Sequence, residues 1–99
     1  MNALPLPPHE SDMLVKVFRA HPEISEVRLF GSRAKGSHSP HSDVDLALWG
    51  EVSSLQAEAI SSELDELPLP YHFDVLAFDL IKLQPLREHI ERVGIRLYP

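Results

Sequence analysis

The chain contains no cysteine, which excludes disulfides, thiolate metal sites and cysteine nucleophiles. It is also short of basic residues: nine Lys and Arg stand against fifteen Asp and Glu, a formal charge of -6. A surface built to hold nucleic acid needs a basic face, so direct binding to DNA or RNA is not expected. A nucleotide held through a metal ion remains compatible with that charge. No apolar run approaches the length of a membrane span, so no membrane partner is expected. The opening MNALPLPPHE lacks the basic region of an export signal, which makes a cytoplasmic location the expectation. What is present is 99 residues, 43% hydrophobic and 24% charged, a globular balance that suits one domain over residues 1–99. There is no internal repeat and no long linker.

Met1 to Pro8 carries three prolines and reads as a mobile or extended lead-in. From His9 to His21 the spacing of Leu14, Val17 and Phe18 is helical, with Ser11 or Asp12 as the cap and Pro22 as the stop. Glu26 to Phe30 alternates like a strand, and a loop rich in Gly, Ser, Pro and His runs from Gly31 to Ser42. Asp43 to Trp49 alternates again, with Val44, Leu46 and Leu48 on one face. Ser53 to Leu67 is a second amphipathic helix, capped by Ser53 or Ser54 and lined by Ile60, Leu64 and Leu67. Tyr71 to Phe78 is a third strand, Pro85 opens a third helix that lasts to Gly94, and Ile95 to Tyr98 is a short edge strand. This order predicts an α/β (α+β) fold, a small mixed sheet with helices packed on it.

Asp43 and Asp45 are two apart on a strand, so both carboxylates point to one face. Across roughly 6 Å, at an effective dielectric of about 20, they repel by on the order of 3 kcal/mol. A cation or full hydration must compensate. Asp74 interrupts an otherwise apolar strand. If the two strands are neighbours, three carboxylates converge, and ligation by oxygen alone favours Mg²⁺ or Mn²⁺ over zinc. Two aspartates spaced this way also occur on solvent-facing sheets, so the pair by itself is a weak signal.

The segment upstream sharpens it. Gly31 and Ser32 directly follow a strand, and Arg33, Ala34 and Lys35 are good helix formers. A Gly-Ser turn opening a helix offers free N–H groups, a hydroxyl and a positive helix end, which together suit phosphate. A phosphate cradle and a metal-binding pair are then separated by one loop.

The run GSRAKGSHSPHSDVDLAL resembles the signature of the DNA polymerase β-type nucleotidyltransferase superfamily, in which Gly-Ser is followed after ten residues by Asp-x-Asp. Ten residues, Arg33 to Ser42, separate Ser32 from Asp43 here, and Gly36, Ser42 and Leu46 match the surrounding pattern. FDVLAFDL resembles the strand that bears the third family carboxylate, and LREHIERVGIRLY the end of the minimal nucleotidyltransferases. Within the superfamily the chain is most similar to minimal nucleotidyltransferase antitoxins of the MntA type. The resemblance implies AMP transfer from ATP to a tyrosine of a partner HEPN-domain ribonuclease toxin, which is thereby inactivated. It implies that Asp43, Asp45 and Asp74 hold two Mg²⁺ ions (or Mn²⁺), that Asp74 helps deprotonate the acceptor hydroxyl, and that Gly31 and Ser32, with Arg33 and Ser42, bind the nucleotide. Lys35 stands where many relatives have Arg, keeping the charge but losing the bidentate fork. Asp79 competes with Asp74 for the third carboxylate, but at the end of the apolar run it reads as a cap or turn residue.

Other residues suggest no chemistry. His38 and His41 sit three apart in the loop and read as its wet tip, and His9, His21, His72 and His89 lack ligand-like spacing. Trp49 ends a strand and reads as a packing residue. Two further functions fit the motif: transfer to a small-molecule hydroxyl, completed by dimerisation, and a binding-only antitoxin that occludes its toxin. The small size favours a protein acceptor, since few residues remain to enclose a small one.

Overall fold

A computed structural model describes residues 6–31 and 43–99. The expectations for Ser32, Arg33, Lys35, His38, His41 and Ser42 therefore lie outside the described residues. The elements are α1 (Pro8–Arg19), β1 (Ile24–Phe30), β2 (Val44–Gly50), α2 (Ser54–Asp65), β3 (Phe73–Ala77), a 3₁₀ turn (Phe78–Leu80), α3 (Gln84–Val93) and β4 (Ile95–Tyr98). The sheet order is β3-β2-β1-β4. β1 runs antiparallel to β2 and β4, and β2 runs parallel to β3. A parallel neighbour needs a crossover rather than a hairpin, and α2 supplies it. The mixed sheet with helices packed on it is the architecture expected from the sequence.

Strand alternation sorts the residues of β2 into two layers. Val44, Leu46 and Leu48 join Leu14, Phe18, Ile60 and Leu64 in the larger core, under α1 and α2. Ala47 lies on the opposite face with Phe30, Phe78 and Ile90, and Trp49, Leu86 and Val93 pack against them. The smaller layer is closed by an aromatic-cation stack. Trp49 lies 4.3 Å from Phe78, centroid to centroid, while the Arg28 and Arg87 guanidinium groups lie 4.9 and 4.4 Å from the Trp49 and Phe78 rings. Arg87 also donates to the Phe78 and Ile81 carbonyls at 3.0 and 3.1 Å. Arg28 is paired with Glu26, which also faces Arg96 at 3.6 Å. Trp49 thus packs, as its position at the strand end suggests.

Helix starts follow local chemistry. Ser53 accepts from the Gln56 N–H while the Gln56 side chain accepts from the Ser53 N–H, a capping box. Pro85 sits in the first turn of α3, and Gly94 caps its end. The cap of α1 differs from expectation. Pro7 occupies the cap position with no side-chain hydrogen bond, and Pro8 begins the helix. Proline is suited to the first turn, where its missing N–H costs nothing. Ser11 is consequently inside the helix, with its buried hydroxyl unpartnered among the described residues. Leu6, assigned above to the lead-in, is buried in the larger core. β3 is shorter than the apolar run around it, because Phe78, Asp79 and Leu80 turn out of the strand.

Candidate active site

Asp45 lies in the middle of the site. Antiparallel pairing places Phe30, the last residue of β1, opposite it, and parallel pairing places Asp74 of β3 on its other side. Asp43 is exposed immediately before β2. The neighbouring of the two acid-bearing strands, on which the three-carboxylate reading depends, is therefore present. Register matters as much as adjacency. A slip of one residue would send Asp74 to the larger core and bring an apolar side chain beside Asp45.

Gly31 follows β1 with φ of 82°, a conformation that strongly favours glycine. A Cβ at this position would run into Oδ2 of Asp45. The turn therefore needs glycine twice over, for its backbone angle and for the approach of the Asp45 carboxylate. Of the residues expected to bind phosphate, Gly31 alone is described, and it stands directly against the central acid.

Electrostatics single out the same carboxyl. Burial raises the Asp45 pKa above its ordinary 3.8, and the charges of Asp74 and then Asp43 add to the rise. Its ionised form is thus disfavoured by low solvation and by two like charges. A divalent cation would reverse both effects. The donor set, three carboxylates and a glycine turn, fits a hard oxygen-seeking ion. Among the described residues, no group of three or more His, Asp or Glu side chains already stands in a metal-holding arrangement. The ion would have to draw the carboxylates together.

Asp74 has a neighbour that its sequence context did not suggest. Oδ1 of Asp74 lies 3.5 Å from Nε2 of His72, whose Nδ1 lies 3.7 Å from Oδ2 of Asp65. In the sequence His72 is one of the histidines without ligand-like spacing. The available signal was its spacing of two from Asp74, which puts both on one side of the strand. Asp65 is held in turn by the Phe73 N–H, which donates to its Oδ1 at 3.1 Å. Asp79 lies in the 3₁₀ turn, as its reading as a turn residue required, while Asp74 is the acid paired with Asp45.

The family model for polymerase β nucleotidyltransferases matches residues 12–99. Among curated proteins no sequence matches significantly. Solved structures match at the level of fold. A chain from a toxin-antitoxin complex with AMP-PNP superposes with a TM-score of 0.77 at 19% identity, over 89% of this chain and 72% of that one. An MntA-HepT toxin-antitoxin complex gives 0.72 at 16% identity, over 93% and 72%. A complex of the tri-AMPylated Shewanella oneidensis HEPN toxin with its MNT antitoxin gives 0.71 at 16%, over 91% and 70%. On the family match over most of its length, the chain belongs to the polymerase β nucleotidyltransferases, with the fold found in these minimal nucleotidyltransferase complexes.

Proposed function

We propose that the protein is a Mg²⁺-dependent protein adenylyltransferase that transfers AMP from ATP to a tyrosine hydroxyl of a partner HEPN toxin, and so acts as its antitoxin. The observation that carries this reading is Asp45, wedged between Asp74 and Asp43 and pressed against Gly31. The similar complexes, one with AMP-PNP and another with an AMPylated toxin, support the choice of donor and acceptor. ATP as donor implies the cytoplasm as the compartment.

In this reading Asp43, Asp45 and Asp74 would hold two divalent ions, Mg²⁺ or Mn²⁺, which would supply positive charge against the triphosphate and its pyrophosphate leaving group. The protein supplies position and charge rather than a covalent intermediate. Gly31 and Ser32 seat the phosphates, with Arg33 and Ser42 completing the nucleotide set. Asp74, with half of its side chain exposed (54%), receives the acceptor's proton. The hydroxyl oxygen then bonds to the α-phosphorus as the bond to pyrophosphate breaks.

The test uses the purified protein, Mg²⁺ and ATP labelled at either the α- or the γ-phosphate, with the product of the adjacent gene. Label from the α position alone, on a tyrosine of that protein and lost in Asp43→Ala, is expected. Label from the γ position would overturn the reading in favour of phosphorylation. Inhibition of the toxin with no transfer of either label would replace it with occlusion.

A further inference from the structure

β3 is an edge strand, and its outer edge is closed at one end and open at the other. His72 accepts the Val44 N–H from β2 at 2.9 Å, so the backbone of His72, Asp74 and Leu76 faces inward and that of Phe73, Val75 and Ala77 outward. The outward groups of Phe73 are sealed by α2: its N–H donates to Asp65, and its carbonyl accepts from the Ser61 hydroxyl at 2.8 Å. Further along, Val75 N–H, Val75 C=O and Ala77 N–H have no such partner among the described residues. They open onto a groove of about 390 Å³ lined by Ala57, Val75, Ala77, Leu80, Ile81 and Leu86, with Glu58 at its wall. Leu76 and Leu80, both part of its lining, are exposed by 38% and 52%. Exposed edges are usually blocked by a charge, a proline or a covering element; among the described residues this one is blocked at the Phe73 end alone.

We infer that the open edge of β3 at Val75–Ala77 docks an extended, apolar segment of the partner protein, flanked by basic residues, as a fifth strand. Backbone groups supply the attraction, and side chains on alternate positions enter the groove or lie over Leu76. The basic flank follows from the charge of the rim. Glu58 lines the groove, and Asp74 and Asp79 lie on the strand and the turn after it, against Lys82 alone on that stretch. The same acids, with a formal charge of -6 on the chain, oppose a second copy at this edge. Leu76 is two residues from Asp74 on the same face, so a docked segment ends beside the acid assigned to receive the acceptor's proton. The identity of the partner as the acceptor rests on the proposed function; the docking does not.

The experiment follows backbone amide signals of the full chain, without nucleotide or metal, on adding a short peptide of alternating valine and threonine with lysine at both ends. Val75 and Ala77 are expected to shift and their amide exchange to slow. N-methylation of the central peptide amide, or glutamate in place of the lysines, is expected to weaken binding about tenfold or more. Leu76→Lys is expected to weaken it similarly without lowering the melting temperature. Val75→Pro removes one outward N–H at an edge that tolerates proline and should weaken binding as well. Unshifted β3 amides, or binding indifferent to N-methylation, would overturn the proposal. So would Val75 protection without peptide in a protein that dimerises with concentration. Because no ATP is present, a failure of AMP transfer leaves this result intact.

Discussion

The two ends of one sheet face are built by the same strands and solve opposite problems. At one end Arg28 and Arg87 lie on Trp49 and Phe78, Arg87 fills two carbonyls, and α3 covers the layer with Ile90. Both guanidinium groups have partners there: Glu26 for Arg28, and two carbonyls for Arg87. At the other end Asp45 sits between two further carboxylates with no cation beside it among the described residues, and its ionised form is disfavoured. Alternation of side chains put both groups on this face. The satisfied end contributes stability, whereas the unsatisfied end withholds stability until a ligand brings positive charge.

The contrast can be broken most sharply at the acids. Asp43→Ala and Asp45→Ala should each lower AMP transfer by on the order of a hundredfold or more, since even indirect supports of a metal site cost 10–100-fold. Label transfer from α-labelled ATP measures this. The melting temperature of either variant should stay level or rise, because a repelling charge is gone. The other end predicts the reverse. Ile90→Ala, which empties a fully buried site, should cost about 2–5 kcal/mol in denaturant unfolding, with transfer kept wherever the protein remains folded.

Smaller changes sharpen the comparison. Gly31→Ala forces a Cβ into the Asp45 carboxylate at a positive φ, and should cost about 1–3 kcal/mol of stability while displacing the central acid. It is the substitution that should harm both properties together. Arg87→Ala removes a ring contact and two hydrogen bonds to carbonyls, a loss of about 1–2 kcal/mol by thermal or urea melting, with transfer unchanged. The smallest expected effect is on the pH dependence of metal-free stability, read from Asp45→Asn. The raised Asp45 pKa means that the folded state binds more protons than the unfolded state between 3.8 and the raised value. Metal-free stability should therefore fall as pH rises through that window, and the Asn variant should lose this component of the fall. Melting curves across that range, with and without Asp45, measure the difference.

Much of the fold was legible because each element has a local cause. The alternation of Val44, Leu46 and Leu48 marked the buried face of β2, and Ser53 with Gln56 marked the start of α2. The spacing from Gly31 to Asp43 and Asp45 pointed to the candidate site, because the resemblance rests on the distance along the chain between a turn and a strand. The errors came where local rules compete. Ser11 is a good cap by residue type, but Pro7 and Pro8 start the helix earlier and Leu6 is drawn into the core. His72 looked ordinary because its partners, Asp65 and Asp74, belong to α2 and β3, and one-dimensional spacing does not show which helix crosses behind a strand.

The sequence by itself determined the elements, the two faces of β2 and the presence of three unusual acids, since these depend on periods of 2 and 3.6 residues and on residue type. It left open whether Asp74 meets Asp45. That was decided by the parallel register of β3 on β2, set by the α2 crossover and by apolar burial on the opposite face. The contact between Gly31 and Asp45, and the open edge at Val75, are likewise products of pairing between strands distant in the chain. Such contacts have no local signature, because the energy that fixes them is the burial of the whole layer.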